Sequence, residues 1–167
     1  MIINCSALIT DSENVARILH RNWVVDGILQ HYAFVLKRKE SYISVNRPAV
    51  SSYDADVASF IENHPGFYTN EKKTEYSRAL VNVGEIRKIA VVINGINLNI
   101  DVEVEPRVVH TNSHAGIFTR YEGKNIKTDD TLYIKPLDEE VSSDEILLEV
   151  RSRLLELAQL ERCKLNV

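Results

Sequence analysis

After the dipeptide Asn94-Gly95, five apolar residues occupy every second position: Ile96, Leu98, Ile100, Val102 and Val104. The positions between and after them hold Asn97, Asn99, Asp101, Glu103 and Glu105. Successive side chains of a strand point to opposite faces, so this run specifies a long strand with one buried and one wet face. Asn-Gly is a strong two-residue hairpin turn. Ile89, Val91 and Ile93 alternate on its other side, which predicts a long hairpin over 87–105, closed by Pro106.

The rest of the chain supplies material to pair with it and to cover it. The runs "HYAFVLKR" and "SYISVNR", on either side of Lys39-Glu40, read as a first antiparallel hairpin. Tyr32, Phe34 and Tyr42 would pack across it, and Trp23 reads as a core anchor beside the Asp26-Gly27 turn. Short strands are expected at 107–110, 115–120 and 131–135. Three helices are predicted, at about 11–20, 53–63 and 143–163. In the first, Thr10 and Glu13 have capping-box spacing, and Val15, Ile18 and Leu19 share a helical face. The second comes after Ser51-Ser52 and stops at Pro65-Gly66. In the third, Ser142 and Glu145 form a capping box ahead of the stripe Ile146, Val150, Leu154 and Leu157. Residues 67–78 are polar without a period and read as a loop long enough to serve as a lid. The expectation is one α+β domain over 1–167, with a mainly antiparallel sheet built from two hairpins plus short strands, and three helices.

Twenty basic and 24 acidic residues are interspersed, for a net charge of −4. That excludes an extensive nucleic-acid surface, whose footprint is a basic face. The short basic stretches "KRKE" (37–40) and "EIRK" (85–88) suit solvated strand edges. No apolar run is long enough to span a membrane. The N-terminal stretch lacks the pattern of a signal peptide, and the two cysteines, Cys5 and Cys163, suit reduced thiols. The location expected on these grounds is cytoplasmic.

Two stretches can carry chemistry. In "HTNSH" (110–114), His110 and His114 flank small polar residues that favour a turn. Histidine titrates near neutrality, so either can contact a ligand or do acid–base work, or simply be hydrogen-bonded in the turn. A metal would need a third ligand that the neighbourhood lacks, so no metal site is expected. In "SVNRP" (44–48), Ser44 and Asn46 project from one strand face and Arg47 comes next. An arginine beside hydroxyl and amide groups can hold a phosphate or carboxylate; equally, Arg47 can pair with an acid on a neighbouring strand. Glycine-rich phosphate loops, G-x-S-x-G elbows and C-x-x-C pairs are absent, so no cofactor is specified.

Three features in chain order add a resemblance. Arg17 or Arg21 comes early, Ser44-Val45-Asn46 lies on a strand, and Glu103-Val104-Glu105 ends a later one. The order resembles the arginine, serine-x-serine/threonine and glutamate-x-glutamate pattern of NAD-dependent ADP-ribosyltransferases. The resemblance implies that the arginine holds an NAD phosphate, the serine strand shapes the nicotinamide pocket, and Glu105 stabilises an oxocarbenium ion. Asn46 departs from that pattern, and the strand alternation explains Glu103 and Glu105 independently.

Three function classes result. One is a ligand- or partner-binding protein whose polar cleft is lined by Ser44, Asn46, Arg47, Asn112, His110 and His114. The second is an enzyme on a phosphate-bearing substrate such as a nucleotide or NAD, with Arg21 or Arg47 gripping phosphate and His114 or Glu105 reacting. The third is an interaction protein that meets a partner or a second copy through the leucine face of 146–160.

Overall fold

The computed structural model describes residues 8–70, 72–93, 95–104 and 112–165. In chain order its strands are β1 (Asn14–Ile18), β2 (Val24–Val25), β3 (Ile28–Leu29), β4 (Ile43–Asn46), β5 (Glu75–Asn82), β6 (Val92–Ile93), β7 (Ile96–Asn97), β8 (Asn99–Val104), β9 (His114–Tyr121), β10 (Lys124–Asn125), β11 (Thr131–Ile134), β12 (Glu139–Ser142) and β13 (Gln159–Lys164). The helices are α1 (Tyr53–Asn63), α2 (Pro65–Tyr68), α3 (Val83–Arg87) and α4 (Ser143–Leu157). One seven-stranded sheet runs β10-β9-β4-β1-β5-β13, and β8 adds to the other edge of β9. Every ladder in it is antiparallel. The protein is α+β.

Both faces of the sheet are covered. On one face Val15, Val45, Val81, Ile100 and Ile117 meet Ile146, Val150 and Leu154 of α4 and Ile86 of α3. On the other, Ala16, Ile18 and Tyr76 meet Tyr53, Val57 and Ile61 of α1. These three α1 residues recur every fourth position, one face of a helix. Arg78 of β5 ties this side together: Nη1 donates to Tyr53 Oη at 3.0 Å, and Nε and Nη2 donate to Glu161 of β13. No helix among the described residues is long and apolar enough to cross a membrane.

The expected helix over 11–20 is instead β1, the strand between β4 and β5. The Thr10–Glu13 turn does form: Thr10 N–H donates to Glu13 Oε2 at 3.2 Å and Glu13 N–H to the Thr10 carbonyl at 3.1 Å. The residues after it form a strand buried on both faces. Such a strand loses its alternation, and its apolar residues then mimic helical spacing.

The same cause hides β5. Residues 75–78, expected to belong to a polar loop, begin a strand that pairs with both β1 and β13. The first hairpin is also replaced. Residues 31–34 form a 3-10 turn with Phe34 in the core and Tyr32 exposed, and β4 pairs with β1 and β9.

The region 83–104 obeys the alternation in part. Residues 83–87 are helical, and Gly95, with φ of +84°, turns the small β6–β7 hairpin. The strand expected from Ile96 onward is split into β7 and the six-residue β8, and β8 pairs with β9 rather than with 89–93. The expected strands at 115–120 and 131–135 appear as β9 and β11, whereas 107–110 lies outside the described residues. The second helix has its predicted bounds, but the third stops at Leu157. Residues 159–164 turn into β13, because the exposed edge of β5 offers six backbone partners that a longer helix would forgo.

Candidate functional site

The geometry of the site starts with a short ladder. β1 pairs with β5 over five residues but with β4 only at Ala16–Asn46. Past that pair, Arg17 takes the place of backbone. Its Nη1 donates to the Ser44 carbonyl at 2.8 Å and its Nε to the Ala33 carbonyl at 2.9 Å. The guanidinium lies 5.3 Å from the ring centroid of Trp23, close enough for a cation–π attraction. No carboxylate among the described residues comes within ion-pairing distance of it. Burial pulls its pKa below the ordinary arginine value, opposed by Tyr68 and Glu40. Arg17 is half-buried, and a charge drawn part-way out of water without a counter-ion carries a desolvation cost.

Beside Arg17 opens a cleft of about 350 Å³. Its floor is Ile18, Ser44, Asn46 and His114. Asp56, Phe60, His64 and Tyr68 form one wall, and Trp23, Lys37 and Glu40 complete the rim. Asp56, Phe60 and His64 recur every fourth residue, one step round α1 from the residues that pack on the sheet. Phe60 stacks at a tilt on Tyr68, with centroids 4.7 Å apart. His20, beside Trp23 and Tyr68, has its pKa lowered by burial and by Arg21.

The stretch "HTNSH" is placed by its serine. Ser113 is fully buried, and both its N–H (3.0 Å) and its Oγ (2.6 Å) donate to Asp56 Oδ2. The same oxygen accepts from Ser52 Oγ at 2.9 Å. Asn46 Nδ2 donates to Ser113 Oγ at 3.0 Å, and Arg47 N–H donates to the Ser113 carbonyl at 2.7 Å. Asp56 therefore clamps the turn to the helix, and the next residue, His114, opens β9 opposite Asn46. The His114 ring meets Tyr42 edge-on at 5.9 Å.

The sequence-derived candidates divide. Ser44, Asn46 and His114 come together in the cleft. Arg47 does not line it: its buried side chain donates to both oxygens of Glu13, at 3.0 and 2.9 Å, the neighbouring-acid alternative. Asn112 is exposed and away from the lining. Arg21 lies in a different, more polar cleft of about 580 Å³, with Asp26, Glu75 and Arg162. His110 and Glu105 fall outside the described residues.

The elements of the ADP-ribosyltransferase-like pattern are adjacent but not joined. Glu103 lies opposite Gly116, which lies opposite Ser44, so the row spans about 10 Å across two strand spacings. A side chain at Gly116 would meet the Tyr42 ring at 2.6 Å, so that ring occupies the space between serine and glutamate. Glu103 itself is bound by Arg120.

The sequence reading missed Asp56, Phe60, His64, Tyr68 and the side-chain environment of Arg17. The fourfold spacing of Asp56, Phe60 and His64 was the available signal. Comparison with protein-family models, with curated proteins and with solved structures finds no match.

Proposed function

We propose that the protein binds a small organic anion in the cleft between β1, β4 and α1. Arg17 carries this reading: a half-buried guanidinium, held by main-chain carbonyls and with no carboxylate partner among the described residues, is prepared for a negative charge from outside. Ser44 and Asn46 supply neutral polar groups, while Trp23, Phe60 and Tyr68 supply flat apolar surface. A ligand with a planar ring and a phosphate or carboxylate fits that combination, and the volume falls in the range of small-molecule sites. Nucleotides and related phosphate esters are the first class to test.

A second reading makes the same ligand a substrate. His64 and His114 both line the cleft, and an imidazole in such a position can act as a general acid or base. Association through α4 has less support, because Ile146, Val150 and Leu154 are spent on the sheet, and of the leucines over 146–160 Leu148 and Leu160 are the exposed ones.

Trp23 is the chain's single tryptophan, so its fluorescence reports this cleft alone. Titration with phosphate, pyrophosphate, AMP and NAD should change that emission for at least one compound. At about 100 times its dissociation constant the ligand adds roughly 2.7 kcal/mol, about 5–10 °C in Tm for a chain of this size. Arg17→Gln should abolish both responses. An unchanged response in a folded Arg17→Gln protein, or none to the whole panel, overturns the proposal.

A further inference from the structure

A second cavity, of about 270 Å³, opens on the opposite face of the sheet, between the 31–36 segment, β4, β9 and α4. Its walls include Phe34, Ile43, Ile117 and Leu147, with Ser41, Thr119, Thr128, Asp144 and Arg151 as polar members. We infer that this cavity is a separate binding site for a carboxylate carrying a compact hydrocarbon body, with Arg151 taking the carboxylate.

Three observations converge on that chemistry. The first is size and polarity. An apolar cavity of roughly 150 Å³ holds a benzene ring, so this one has room for a ring with a short chain or a medium-length aliphatic chain. The second is Thr128. Its Oγ1 is buried with no hydrogen-bond partner among the described residues, and a buried polar atom left in that state is costly unless something supplies the bond. The third is Arg151, half-buried on α4, which makes no ion pair or hydrogen bond with any described residue.

The acid at the cavity does not neutralise Arg151. Asp144 stands seven residues earlier on α4, about 10 Å along the axis, and its Oδ1 accepts the Asp129 N–H at 3.1 Å. A cationic head group would meet Arg151 with like charge, whereas a carboxylate meets a guanidinium that no described residue engages.

The probe is octanoate, with octanol as its uncharged counterpart, measured by calorimetry on the full chain. Octanoate should bind at least about tenfold more tightly than octanol. Arg151→Gln should erase that preference while leaving octanol binding in place. Leu148→Trp, at a half-exposed position on the cavity wall, should block both compounds without unfolding the protein. Trp23 emission should stay constant, and Arg17→Gln should bind octanoate as the wild type does. Three results would overturn the site: no binding at millimolar octanoate, an equal preference in wild type and Arg151→Gln, or loss of binding in Arg17→Gln. The last would place octanoate in the Arg17 cleft.

Discussion

The two faces of the sheet are made from the same strands and finished differently. On the α4 face, residues from β1, β4, β5, β8, β9, α3 and α4 close an apolar core around Leu154 and Ile117. On the α1 face, the apolar contact is a small patch around Val57 and Ile61, and beyond it the surface turns polar over Ser44, Asn46 and His114. The larger apolar core thus lies on the α4 side and the polar cleft on the α1 side. The division is possible because β1 and β4 separate after one pair, leaving a gap that a short helix does not cover.

Truncation of the α4 face should do the most damage. Leu154 is fully buried against the sheet, and Leu154→Ala removes its contacts and leaves a cavity, at a cost of about 4 kcal/mol. Urea denaturation with the slope unchanged would measure it. A cost below about 1 kcal/mol would mean that the core is not concentrated on this face.

Arg47→Ala should come next, at about 3 kcal/mol, since breaking a buried pair strands its partner. Arg47 and Glu13 join β4 to the turn that leads into β1. Burial pushes the Glu13 pKa up, but the Arg47 and Thr10 hydrogen bonds and the charges of Arg47 and Arg87 outweigh it, so the pKa lies below the ordinary value. A carboxyl depressed in the folded state stabilises at pH above its unfolded value, and the contribution is lost as pH falls through the folded pKa. The urea midpoint of the wild type should therefore fall on acidification below about pH 4.5. Arg47→Ala should flatten that dependence, and an identical pH profile in the two proteins would contradict the assignment.

The same asymmetry decides which elements were legible in the sequence. α1 and β8 each have one buried and one wet face, and their periodicities, 3.6 and 2, survive in the residues. β1 and β5 are covered on both sides, so Val15, Ala16 and Ile18 show no alternation and read as a helix. β13 is invisible from local pattern because it exists to complete the edge of β5.

The site obeys the same limit. Ser44 and Asn46 are two apart on one strand, and His114 ends a turn, so each is visible locally. Their conjunction with Arg17 and Asp56 depends on the order β9-β4-β1 with α1 across it, and no single segment encodes that order. Which of its two expected partners Arg47 meets is equally hidden, because an arginine after a polar strand gives no sign of which way it turns; here it turns to Glu13.

Phe60→Ala should have the smallest effect on stability and be the most informative about the division of labour. Phe60 is 41% exposed, on the α1 face but off the stripe that packs on Ala16 and Ile18. Exposed substitutions of this kind change stability by about 0.5 kcal/mol or less. Yet its ring stacks with Tyr68 and forms part of the cleft wall, so it should contribute apolar surface to whatever Arg17 holds. The expected outcome is an unchanged urea midpoint with a Trp23-monitored affinity weakened roughly tenfold, about 1.4 kcal/mol. If instead Phe60→Ala lowers the midpoint as Leu154→Ala does and leaves affinity alone, the α1 face is a structural layer like its opposite. The contrast between the α4-side core and the α1-side cleft then fails at the residue best placed to show it.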